Sequence, residues 1–156
     1  MKKGPMQPLT HWFCDTCGEA ISLTPSDTGW IEWLELDTGK PREFRICHNG
    51  RCARHSRKPE CCDLDLSHFA GPTGKAYLLS MLYAGPTIDW HGPQLERLPE
   101  MISFTELFRR LHIPYYEEAR IYFDQARGDG FFEGDNEFTI YSQPNLIKII
   151  EQYKTG

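Results

Sequence analysis

All six cysteines of the chain fall within its first 62 residues, and two of them stand in Cys14-Asp15-Thr16-Cys17-Gly18. Thiolates separated by two residues can grip one cation from a tight turn, and the glycine after them supplies the backbone conformation such a turn needs. A redox couple of the same spacing would sit between a strand and a helix in a βαβ unit, and the flanking residues do not read that way. Two further ligands are needed. The candidates are Cys47, His48, Cys52, His55, Cys61 and Cys62, with no second C-x2-C among them. Strand alternation ranks them: Phe44, Ile46 and His48 share one face while Cys47 goes with Glu43 and Arg45, and Cys62, Leu64 and Leu66 share a face that excludes Cys61. The expected set is therefore Cys14, Cys17, His48 and Cys62. Cys47 with Cys52, spaced C-x4-C, is the alternative, with His55 and Cys61 behind it. His11, beside Trp12 and Phe13, reads as an ordinary side chain, and one of Cys61 and Cys62 reads equally as a small buried residue. Three thiolates and an imidazole suit tetrahedral Zn2+, and a closed shell of four leaves no place for substrate. Such a structural zinc supplies on the order of 10 kcal/mol to folding.

The knuckle at residues 14–18 resembles that of zinc-ribbon and rubredoxin-like modules, and by strand pattern the likeness extends over residues 10–66. The missing second C-x2-C is where this chain departs from that pattern. Strands are expected at His11 to Cys14, Gly29 to Leu36, Arg42 to His48 and Glu60 to Leu66, separated by turns at 24–27, 37–41 and 48–50. Together they predict a small antiparallel sheet.

Beyond residue 67 the apolar period lengthens to that of a helix. Thr73 is placed to cap a helix running to Ala84, with Leu78, Leu79, Leu82 and Tyr83 on its apolar face, and Gly85-Pro86 stops it. Residues 85–99 form a Pro- and Gly-rich connection. Ser103-Phe104-Thr105-Glu106 is a capping-box pattern ahead of the stripe Phe104, Leu107, Phe108 and Leu111. A further helix is expected from Tyr115 to Arg127, and a hairpin at Phe131 to Tyr141 around Gly134-Asp135-Asn136. A last helix carries Leu146, Ile149, Ile150 and Tyr153. In order, these elements resemble a winged helix-turn-helix over residues 73–153. The fold class expected is α+β: a zinc-stabilised β module over 9–70, then a winged-helix-like helical module over 71–156.

That resemblance implies DNA binding, but the charges oppose it. The chain carries 17 Lys and Arg against 22 Asp and Glu, a net of −5, and the wing region adds Asp129, Glu133, Asp135 and Glu137 without a cation. Positive charge gathers elsewhere. Residues 40–58 hold seven cations and one acid, and Arg51, Arg54, Arg57 and Lys58 are the expected contacts for a partner. Few aromatics are interleaved with them, which argues against stacking on single-stranded bases.

Gly71-Pro72-Thr73-Gly74-Lys75 is not a phosphate loop, because Phe69 and Ala76 occupy positions that need Gly and Ser or Thr. Asp89-Trp90-His91 places a carboxylate two residues from an imidazole, but no supported nucleophile accompanies it. With no apolar run of about 20 residues and no apolar stretch after Met1-Lys2-Lys3-Gly4-Pro5, no membrane is expected and the cytoplasm is the expected location. The expectation for function is a non-enzymatic zinc-binding adaptor or regulator with a protein partner. A nucleic-acid-binding regulator using residues 51–58 is the alternative, and a small hydrolase or redox enzyme the third.

Overall fold

Two strands over residues 29–34 and 42–48 pair with Ile31 opposite Ile46, both fully buried. They belong to a computed structural model that describes residues 7–25, 28–35, 40–54, 58–83 and 98–154. The strands are β1 (His11–Phe13), β2 (Ala20–Ser22), β3 (Gly29–Leu34), β4 (Arg42–His48) and β5 (Cys61–Asp65). A 3-10 turn at Leu66–His68 leads into α1 (Gly71–Leu82), followed by α2 (Met101–His112), α3 (Tyr116–Arg120), α4 (Phe123–Gly128) and α5 (Gln143–Tyr153). The fold is thus α+β with antiparallel sheets. β1 and β2 make a two-stranded sheet, and β3 runs antiparallel between β4 and β5 in a second.

The described residues form two compact units, one within Thr10–His112 and the other from residues 113–154 with residues 7–9. The boundary between the two units falls after His112. Its cause lies in the core of the first unit, where Leu78 of α1 and Phe104, Leu107 and Leu111 of α2 join Ile31, Trp33, Phe44 and Ile46 of the sheet. Trp33 stacks on Phe44 at 5.8 Å between ring centroids, and Phe44 meets Phe104 edge-on at 5.6 Å. Register slips between Glu32 and Leu34, so Trp33 alone faces Glu43 and Phe44, and Glu43 takes a positive φ of 56°.

β5 departs from the expected alternation. It is an edge strand, Leu64 is 37% exposed, and this side chain lines an open apolar hollow of about 320 Å3 with Ser67, His68, Thr73 and Tyr77.

In the second unit α5 buries Leu146, Ile149, Ile150 and Tyr153 as its period requires. The single helix expected at 115–127 is two, interrupted at Ile121 and Tyr122. The hairpin of the winged-helix expectation is absent: residues 131–141 are turns, and no strand lies beyond Asp65 among the described residues. Two causes are visible. Phe131 and Phe132 both pack on the core of this unit, whereas a strand would send consecutive side chains to opposite faces. Asn136 Oδ1 also accepts the Phe138 N–H at 2.9 Å, and Asp135 Oδ1 accepts the Thr139 hydroxyl at 3.0 Å, local bonds that compete with a ladder. No helix among the described residues is long and apolar enough to cross a membrane.

Candidate metal centre

β1 delivers Cys14 at its end, and the chain turns at once. Gly18 N–H donates to Cys14 O at 2.9 Å and Cys14 N–H to Glu19 O at 2.9 Å, with Gly18 at φ +76°, a value a side chain would strain. Inside this turn the Thr16 N–H donates to Cys14 Sγ at 3.4 Å. β4 delivers His48, 7% exposed, and the turn at Asn49 and Gly50 (φ +75°) brings in Cys52, 6% exposed.

Cys14, Cys17, His48 and Cys52 each offer one donor atom, and the four atoms lie within 4.8 Å of one another. His48 Nδ1 stands 3.4 Å from Cys17 Sγ, close to the ~3.5 Å edge expected between sulfur and nitrogen on one tetrahedral zinc. Its Nε2 stands 3.4 Å from Ala20 O. With its proton on Nε2 the ring would donate to that carbonyl and leave the Nδ1 lone pair for a cation.

The residues between and around the ligands fasten the knuckle to the sheet. Asp15 N–H donates to Ile46 O at 2.8 Å, and Ile46 N–H returns a bond to Asp15 Oδ2 at 2.8 Å. Thr16 donates its hydroxyl to Cys52 O at 2.7 Å and accepts from Arg45 Nη2 at 2.9 Å. Arg110 of α2, 3% exposed, donates from Nη1 to both Asp15 oxygens, at 2.9 and 2.7 Å, and from Nη2 to Phe13 O at 2.8 Å.

The thiols are strongly polarised. Burial works to raise Cys14, but hydrogen bonds from the backbone N–H groups of Cys17, His48 and Thr16 and from the His48 side chain outweigh it and bring it down to about 6. Burial, followed by hydrogen bonding with the Cys14 and Cys17 thiols, pushes Cys52 up to about 11. A soft cation among these sulfurs would displace the thiol protons that remain.

No protein-family model matches the chain, and neither a curated protein nor a solved structure does. Geometry alone speaks for this site.

Of the ligands expected from the sequence, the structure gathers Cys14, Cys17 and His48, and it replaces Cys62 with Cys52. Cys62 lies on β5 opposite Trp33, its sulfur 3.9 Å from Glu35 Oε2, and burial and that carboxylate raise its thiol. On β5 the face that Cys62 shares with Leu64 is only part-buried, with Leu64 37% exposed. The signal for Cys52 was the Asn49-Gly50 turn itself, since His48-x3-Cys52 wraps a second short loop opposite the first. Cys47, fully buried opposite Trp30, is pushed up to about 12 by burial and then by Glu32 and stays outside the donor group. Cys61, on β5, is raised by burial and by Glu32, and it too is outside. His55 and Arg57 lie outside the described residues, as do Asp89 and His91. Arg51 is exposed and pairs with Glu19 at 3.0 Å, a surface contact worth little. Arg54 and Lys58 are exposed, and the Arg54 backbone N–H is tied to the buried Glu32 Oε1 at 3.1 Å.

Proposed function

We infer that the protein is a non-enzymatic adaptor or regulatory protein that uses a structural zinc to hold a contact surface for another protein. The observation that carries this reading is the convergence of Cys14, Cys17, His48 and Cys52, drawn from two separate turns, on one point. Three sulfurs and one imidazole nitrogen form one of the usual shells of structural Zn2+, and with all four corners supplied by protein no position is left for substrate or activated water. The second turn also leads into the basic segment. Cys52 anchors a stretch from which Arg51, Arg54 and Lys58 project into solvent, and Arg57 falls in the same run. A partner that matches it would present carboxylates, and steering by this patch would raise the rate of encounter. The cytoplasm is the location we assign.

Elemental analysis of the native protein tests the core of the reading. One zinc per chain is expected, lost in Cys14→Ser, Cys17→Ser, His48→Ala and Cys52→Ser and kept in Cys62→Ser and Cys47→Ser. A folded native protein free of metal would remove it. The partner class is tested by fluorescence anisotropy with labelled duplex DNA and single-stranded RNA of random sequence. Binding that falls steeply with salt and is abolished by Arg54→Glu with Lys58→Glu would replace the protein partner by a nucleic acid.

A further inference from the structure

We propose that Arg110 is the positioning residue of the metal knuckle, and that its grip on Asp15 couples metal binding to the docking of α2. This rests on the metal reading above and concerns the regulation of the same site.

Asp15 sits between two ligands, and its carboxylate accepts from Arg110 Nη1 at 2.9 and 2.7 Å and from the Ile46 N–H at 2.8 Å. Arg110 then reaches back along the chain, donating from Nη2 to Phe13 O at 2.8 Å, while the Trp12 indole N–H donates to Arg110 O at 3.1 Å. One residue of α2 thus brackets positions 12, 13 and 15, the approach to the knuckle and its first turn. A buried ion pair is weak evidence for stability, because apolar residues of the same shape often do as well. Its fork geometry does fix position. The position matters here because Cys14 Sγ is held by N–H groups of residues 16 and 17, and those point at the sulfur only while the backbone over 14–18 keeps its turn. Metal that favours the turn favours the Asp15–Arg110 contact, and by linkage a docked α2 raises metal affinity by the same factor.

The test is zinc affinity of the full-length chain, measured by competition with a chromophoric chelator, with Co2+ absorption reporting tetrahedral geometry. Arg110→Met and Asp15→Asn are each expected to weaken zinc binding by about 10- to 100-fold, the usual range for an outer-shell partner. The double variant should lose no more than the worse single one. Arg110→Lys, which restores charge without the fork, should recover part of the loss. Leu107→Ala, which loosens the same helix without touching the Asp15 contact, should destabilise the protein and weaken zinc binding much less than Arg110→Met does. In the wild type, zinc removal should speed hydrogen exchange of the amides at 108–112. Should Arg110→Met fail to fold, Arg110→Lys and Asp15→Asn carry the comparison. Unchanged affinity in the Asp15 and Arg110 variants, or an equal loss in Leu107→Ala, overturns the coupling while the metal reading stands. A wild-type chain that takes up no zinc overturns both.

Discussion

Glycine 74 shows how a single residue can carry two incompatible readings. In Gly71-Pro72-Thr73-Gly74-Lys75 a Gly-Lys pair opens a helix, the arrangement that a phosphate would use. In the folded chain Gly74 is buried in the first turns of α1, and a Cβ added there would collide with the backbone of Phe69. The glycine is therefore a close-approach residue that lets α1 lie against the turn leading into it. Gly74→Ala should lower stability by about 1–3 kcal/mol, the range for overpacking, read as a shift of the urea midpoint, without altering metal uptake. His48 makes the complementary point. Alternation along β4 placed it inward with Phe44 and Ile46, and it is buried there. The contact of its ring with Ala20 O, which orients it, spans 28 positions and has no signature in the local sequence.

Helix α2 is legible in the sequence as an element but not in its start. The stripe Phe104, Leu107 and Leu111 is buried as expected, yet the cap is Glu100 and not Ser103. The Glu100 carboxylate accepts from the N–H groups of Ile102 at 2.6 Å and Ser103 at 2.9 Å and from the Ser103 hydroxyl at 2.8 Å. The Ser103 backbone N–H foremost, then its hydroxyl and the Ile102 N–H, hold that carboxyl below the usual glutamate range. A carboxyl depressed in the folded state stabilises fully above its unfolded value of about 4.3, and the contribution is lost as pH falls through the lower folded value. Glu100→Gln should therefore cost about 1 kcal/mol at neutral pH, as loss of a cap does, and its melting curve should converge on that of the wild type in acid. Strands β3 and β4 were equally legible, because Trp, Ile, Leu and Phe cluster there between turn residues. The hairpin expected at 131–141 was not, because Asp135, Asn136 and Thr139 spend their polar groups on one another and on Asn145.

At the scale of the whole molecule, the sequence indicated a mixed fold with a cysteine-bearing sheet, and the packing shows that residues of α1 and α2 share a core with that sheet. Periodicity marks an apolar face but does not say what will cover it, and α2 finds its partner in β4 through Phe104 and Phe44 across some 60 residues. The same packing sets Arg110 beside the knuckle, so the site could not be completed by reading the ligands alone. β4 ends the three-stranded sheet, and the N–H and C=O of Ile46 are both taken by Asp15. The knuckle thus caps a strand edge. If chelation frees it, that edge is bared beside buried Ile46 and Cys47, a template that a strand from another molecule can extend. Light scattering should then rise after zinc is withdrawn and stay flat when zinc is returned first. The ion would serve this chain as a guard against polymerisation, keeping in solution a sheet that would otherwise recruit its own kind.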